Sequence, residues 1–172
     1  MNKLFSKFTK LTFMNSHTFN GSISWTGNLG TGTSAYDQYG RNFDVNTPNK
    51  FPILGSAGSA FRGDDQRSNP EDLFMNALSS CHMLWYFHLC ADRGIVVTEY
   101  SDNFHGTLEI GENGIGRMTQ VILNPHVKIN RASSVDNALE IAEQLHAEAH
   151  KFCFIANSVN TEIVCQPQIE FC

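Results

Sequence analysis

Between Ser68 and Arg93 the chain reads SNPEDLFMNALSSCHMLWYFHLCADR, without a glycine and with its one proline at the start. Asn69 is a capping residue, and Pro70 suits the first helical position because its missing N–H has no partner to lose there. Glu71 and Asp72 complement the positive end of the helix dipole. Leu73, Ala77, Cys81, Leu84 and Leu89 recur at helical spacing with Phe74, Leu78 and Trp85 beside them, and Gly94 stops the run. The pattern predicts one long helix with a broad apolar stripe that belongs in a core.

In the middle of that stripe stands Cys81, flanked by Ser79, Ser80 and His82. The helix alone leaves two readings of it open: an inert, small apolar core residue or a reactive thiol.

The flanking segments alternate with period two. Phe19, Ile23 and Trp25 share one face of a first strand, and YDQYGRNFDV reads as a second. In that second strand Arg41 points the same way as Tyr39, Phe43 and Val45, so it either snorkels from an edge or faces a partly buried anion. Residues 46–67 are rich in Pro, Gly, Ser and Asp and read as a long connection with one short strand, FPILG, and with Arg62 and Arg67 as rivals for anion binding. After the long helix, VVTEYSDNFHGTLEI alternates again, GENGIG turns the chain, and RMTQVILNPHVKI returns as an antiparallel partner. Ser133 with Asp136 resembles a capping box opening a second helix, whose stripe runs Val135, Ala138, Leu139, Ala142, Leu145, Ala149 and Phe152 and which ends near Cys153. TEIVCQPQI is a last strand. The order implies an α+β domain, an antiparallel sheet wrapped on two helices.

At 172 residues and 41% hydrophobic content the chain holds one domain with a proper core. Residues 1–16, MNKLFSKFTKLTFMNS, read as a loosely attached extension, with Met14 as an alternative start and a transit role as a second option; residues 17–172 are the domain. A net charge of −5 with 12 scattered Lys and Arg argues against a nucleic-acid partner. No run reaches the roughly 18 apolar residues of a membrane span. Five cysteines, an odd number without a C-x-x-C pair or a secretory signal, point to a reducing compartment and hence the cytoplasm.

Two constellations carry chemistry. Cys153 at the end of the second helix can reach Cys81 if the two helices pack, whereas Cys90, Cys165 and Cys172 read as core or terminal residues. Alternatively, His146, His150 and Cys153 share a helical face and, completed by Cys81, His82 or His88, have zinc-ligand chemistry. No nucleotide-binding glycine motif and no G-x-S-x-G elbow is present, so no cofactor is expected and a serine hydrolase is excluded.

Taken together, NPEDLFMNALSSCHML followed by GIVV, the later KFCFIANS segment and the upstream YGRN strand resemble the OsmC/Ohr family of thiol peroxidases, its OsmC-like members in particular, over about Phe19 to Ile169. The resemblance implies an intertwined homodimer with two active sites near the subunit interface, reducing organic hydroperoxides. Matched residue by residue, Cys81 is the peroxide-attacking cysteine, Cys153 the resolving cysteine, Arg41 the arginine that holds the thiolate and Glu71 its glutamate partner. A dithiol resets the Cys81–Cys153 disulfide, and the resemblance points to protein-bound dihydrolipoyl groups for that task. Two positions depart from the pattern: Phe154 follows Cys153 where many relatives have proline, and His82 is polar where many have an apolar or hydroxyl residue. Glu71 lies ten residues before Cys81, about 15 Å along a straight helix, too far for one arginine head to touch both. Either the helix is broken between them, the arginine swings between two states, or the two ends come from different subunits, and the dimeric arrangement is the preferred one. A non-enzymatic metal- or ligand-binding dimer and a thiol redox sensor are the competing functions.

Overall fold

The Ser68–Arg93 stretch folds as its punctuation predicts, into α1 (Pro70–Asp92). Asn69 Oδ1 accepts from the Asp72 N–H at 2.7 Å and the Asp72 carboxylate accepts from the Asn69 N–H at 3.1 Å, closing a reciprocal cap. At the other end Gly94 takes φ 69°, a left-handed conformation natural to glycine. The Ile95 N–H then returns to the Cys90 carbonyl at 2.9 Å, and the helix stops.

The structure, a computed structural model, describes residues 15–133 and 135–172. The expected extension, with Met14, falls outside the described residues up to position 14. The chain forms two compact units, divided between Arg67 and Ser68.

In the first unit, β1 (Ser22–Trp25), β2 (Phe43–Asn46) and β3 (Ile53–Gly55) form an antiparallel sheet in that order. A single 3₁₀ turn, Ser59–Phe61, follows. The strand expected over residues 36–45 is shorter than its alternation suggested: regular pairing begins at Phe43, so Arg41 is not on a strand face. Residues 36–40 are instead a turn region, closed by the Gln38 N–H on the Ala35 carbonyl at 3.0 Å.

In the second unit α1 is followed by β4 (Val97–Asp102), β5 (His105–Ile110), β6 (Gly116–Leu123), β7 (Pro125–Ile129), α2 (Ala138–Phe152), β8 (Glu162–Cys165) and β9 (Gln168–Phe171). The sheets run β4-β7-β9 and β5-β6-β8. Each long alternating segment of the sequence is therefore one strand broken once: at Asn103–Phe104, at Asn124 and at Gln166–Pro167. Proline, which has no N–H for a ladder, stands at two of the breaks. The predicted hairpin is antiparallel (β5 with β6, β4 with β7), but β8 and β9 run parallel to β6 and β7. A strand that returns through a helical crossover, here α2, arrives in the same direction as the one it left. The fold is α+β with mixed sheets rather than a purely antiparallel one.

The helices pack on these sheets and on each other. One core joins Tyr86, Cys90 and Ile95 to Val127, Ile129, Ala138, Ala142, Leu145 and Ala149. A second joins Leu78 to Val121 and Leu123, with Phe74, Met75 and Met118 around them. Two expectations need correction. The buried face of α1 is Leu78, Ser79, His82, Tyr86 and Cys90, while Leu84 is 62% exposed and Cys81 is half-buried. The helix is apolar on most sides, so periodicity alone did not select the face that docks. Moreover, α2 begins at Ala138 with Asn137 at φ 60° as its cap. Ser133 is occupied elsewhere, its Oγ accepting from the Val96 N–H and donating to the Asn130 carbonyl, so it caps nothing.

Among the described residues, no helix is long and apolar enough to cross a membrane.

Candidate active site

Cys81 comes from the middle of α1 and Cys153 from the residue that caps the C-terminus of α2. Packing of the two helices sets the thiols near enough for the Cys81 side chain to act on the Cys153 thiol. Cys153 is 1% exposed. Burial pushes its thiol up to about 11; the Ala156 N–H, which donates to Sγ at 3.4 Å, works against that, and the neighbouring Cys81 adds to it. The helix ends cleanly: the Cys153 N–H closes on the Ala149 carbonyl at 2.9 Å, and Cys153 itself is extended (φ −63°, ψ 107°). Both cysteines are free thiols.

Aromatic side chains cluster at the end of α2 that carries Cys153. Trp85, one helical turn after Cys81, stacks on Phe152 (centroids 5.1 Å, 26°) and meets Phe154 edge-on (5.4 Å, 88°). The two phenylalanines flank Cys153 in sequence, so the indole holds both sides of the turn that carries the second sulfur. Leu84, Trp85 and His88 line a shallow depression of about 220 Å³ on the same stretch of α1.

Glu71 sits half-buried in the first turn of α1. Arg41 belongs to the first unit. Its guanidinium donates to the carbonyls of Tyr36 (2.6 Å) and Tyr39 and lies over both rings, 4.4 and 4.1 Å from their centroids. That charge rests on π faces and carbonyls, with no carboxylate among these contacts. Arg67, one of the rivals named from sequence, is committed to Asp44 (3.3 Å) and Asp64 (3.7 Å).

The metal-like set expected from sequence is only partly assembled. His88 faces Asp92 on the exposed side of α1 (3.4 Å), and Cys153 neighbours Cys81. Instead, His82 Nε2 and His146 Nδ1 approach to 2.9 Å, and the sulfur of Cys165, a residue read as plain core, lies 3.6 Å from the first and 3.8 Å from the second. Burial, and secondarily His150, lowers His82 to about 4; burial, and secondarily His82, lowers His146 to about 3, so both rings are neutral at neutral pH. His146 stacks on Tyr86 at 3.8 Å. His82 Nδ1 and His146 Nε2 are buried without a protein hydrogen-bond partner. The signal that could have found this trio is the polarity of His82 in an apolar row with His146, four residues before His150, on the facing helix.

Near the strand breaks, Asp102 accepts from Ser79 Oγ (2.6 Å) and from the Asn124 N–H (2.8 Å), tying α1 to the point where the second long strand bends. Burial and this carboxylate raise the Cys165 thiol to about 12.

The sequence profile of the family described as OsmC-like protein matches residues 63–168. Among solved structures, an OsmC-like protein of unknown function from Vibrio cholerae is 30% identical, with 89% of this chain and 100% of that one covered and a TM-score of 0.79. An organic hydroperoxide resistance protein from Elizabethkingia anophelis is 18% identical (93% and 100% covered, TM-score 0.64). A putative organic hydroperoxide resistance protein from Vibrio cholerae, solved with captopril in one of its active sites, is 21% identical (90% and 93% covered, TM-score 0.61). No curated protein matches the sequence significantly.

Proposed function

The chain belongs to the OsmC-like family, and from that premise we propose that it is a thiol peroxidase that reduces organic hydroperoxides to alcohols through Cys81 and Cys153. The observation that carries the reading is the nearness of a half-buried thiol on α1 to a fully buried one at the end of α2. An accessible sulfur backed by a hidden one suits an attacking and a resolving role.

The thiolate of Cys81 attacks the distal oxygen of the hydroperoxide. The S–O bond forms as the O–O bond breaks, the alkoxide takes up a proton and leaves as alcohol, and Cys81 becomes a sulfenic acid. Cys153 then attacks that sulfur: the S–S bond forms, the S–O bond breaks, and hydroxide leaves with the Cys153 proton as water. An external dithiol returns two electrons by exchange, and protein-bound dihydrolipoyl groups are the reductant the family resemblance suggests. The family resemblance, not a contact in the structure, gives Arg41 the task of holding the Cys81 thiolate and orienting the peroxide, with Glu71 as its partner; a guanidinium fork favours both tasks.

The depression at Leu84 and Trp85 supports a preference for bulky alkyl hydroperoxides over hydrogen peroxide. The working form is a homodimer. Phe19, Ile23 and Phe51 of the first unit are 90%, 70% and 95% exposed, an apolar surface that a second copy can cover.

The decisive measurement is a mass spectrum of the protein after one equivalent of alkyl hydroperoxide. A peptide pair linked through Cys81 and Cys153 is expected, and Cys81→Ser must abolish turnover. Full dithiol-dependent activity in Cys81→Ser would sink the assignment.

A further inference from the structure

His82, His146 and Cys165 take no part in the peroxide chemistry, yet α1, α2 and β8 bring one nitrogen of each ring and the sulfur within 4.8 Å of one another. We propose that these three side chains form a metal site for a borderline-soft divalent ion of the zinc class, held by His82 Nε2, His146 Nδ1 and Cys165 Sγ, with a water as fourth ligand.

The geometry is close to what such an ion requires. With Zn–N about 2.0–2.1 Å and Zn–S about 2.3 Å, a tetrahedral site has N···S edges of about 3.6 Å and an N···N edge of about 3.3 Å. The two N···S separations are 3.6 and 3.8 Å and the N···N separation is 2.9 Å. Opening the N···N pair by about 0.4 Å and turning the rings so that both lone pairs aim at one point, in place of their mutual hydrogen bond, completes the set. The rings are already positioned: His146 stacks on Tyr86 (3.8 Å, 14°) and lies nearly coplanar with His82 (11°), edge to edge, so little order has to be gained on binding.

The donor types agree with the ion. Two neutral imidazoles and one thiol are zinc ligands, not ligands for calcium or magnesium, which take oxygen. On binding, the Cys165 thiol gives its proton to solvent and the thiolate coordinates. The thiolate and the nearby Asp102 carboxylate together balance the two positive charges. The same carboxylate disfavours the thiolate when no ion is present. Access exists as well, since His146, His150, Lys151, Ile163, Cys165 and Pro167 line a cleft of about 490 Å³.

The test does not depend on the peroxidase reading. The reduced full chain, freed of metal by chelation, is titrated with Co²⁺ alone and then with Zn²⁺. One equivalent of Co²⁺ is expected to give tetrahedral d–d bands and a thiolate-to-cobalt charge-transfer band, both erased by Zn²⁺. The charge-transfer band disappears in Cys165→Ser, and the tetrahedral bands are lost in His146→Asn, while both persist in Cys81→Ser and Cys153→Ser. Folded wild-type chain that gives no such bands, or bands lost in Cys81→Ser or Cys153→Ser but kept in Cys165→Ser, overturns the proposal. Because the wild-type titration and the Cys81 and Cys153 variants decide it, misfolding of a Cys165 or His146 variant leaves the test intact.

Discussion

Phe154 stands edge-on to Trp85, with ring centroids 5.4 Å apart and planes at 88°. It occupies the position after Cys153, where the family resemblance leads to an expectation of proline. Proline would fix that turn through its own ring; here the turn is fixed by a contact across the helix pair. Cys153 is thus held beside Cys81 by Phe152 and Phe154 gripping one indole.

Phe154→Ala should therefore slow formation of the Cys81–Cys153 disulfide several-fold while changing stability little. Phe154 is 68% exposed, and an aromatic pair is worth about 0.5–1.5 kcal/mol. The chain has two tryptophans, so a Trp25→Phe background leaves Trp85 as the sole indole. Stopped-flow fluorescence after addition of alkyl hydroperoxide then reads the step directly. An unchanged closing rate would show that the clasp does not position Cys153.

Leu84 and Trp85 follow Cys81 by three and four residues, so they share its side of α1. Leu84→Glu should raise KM for a bulky alkyl hydroperoxide several-fold and leave hydrogen peroxide turnover nearly unchanged. The side chain is 62% exposed, so a stability change beyond about 0.5 kcal/mol is not expected. A dithiol-coupled peroxidase assay with both substrates measures the ratio, and an equal effect on both would dissociate the depression from substrate choice.

The long helix was legible because its ends are written in local chemistry: Asn69, Pro70 and Asp72 at one end and Gly94 at the other act within a few residues. The closeness of Cys81 and Cys153 was legible from the two helix positions and from resemblance. What escaped depends on distant partners. A row at 78, 82, 86 and 90 and a row through Cys81 and Leu84 are equally apolar to the eye, and only docking on α2 and the sheets selects the first. Alternation runs straight through Asp102, Asn103 and Phe104, so the bend there has no local mark. Its cause is tertiary, in the hydrogen bonds that Asp102 receives from Ser79 and Asn124. Cys165 read as core because its two histidines lie 83 and 19 residues away. Arg41 read as an inward strand residue because period two cannot reveal where pairing starts.

The Asp102 hinge gives a stability prediction. Its carboxylate accepts two hydrogen bonds, and loss of bonds to a charged group costs about 1.5–3 kcal/mol each, less whatever water recovers. Asp102→Ala should destabilise the metal-free protein by roughly 2–4 kcal/mol, and Ser79→Ala by about 1–2 kcal/mol. In a double-mutant cycle by urea unfolding the pair should couple by about 1 kcal/mol or more. Additive effects would mean that the 2.6 Å contact contributes nothing net.

Alkaline pH should weaken the fold through its buried acids. Burial raises Cys90 from 9.0 to about 11, and burial raises Tyr100 as well. In the unfolded chain the Cys90 thiol loses its proton near 9.0, whereas in the native state it keeps it until about 11. Above the lower value the unfolded state binds fewer protons than the native one, so stability falls as pH rises. The contribution is fully present below about pH 9 and is lost progressively toward pH 11, on the order of 2 kcal/mol for this thiol. Urea unfolding under a non-thiol reductant at pH 8 and pH 10.5 should show the drop in midpoint. Cys90→Ala, which removes the group but leaves a small apolar side chain in the 1% exposed site, should make that fall shallower by this thiol's share, leaving the part due to Cys153 and Cys165, while lowering stability at pH 8. A variant that falls as steeply as the wild type would mean that Cys90 ionises in the native state as readily as in the unfolded chain.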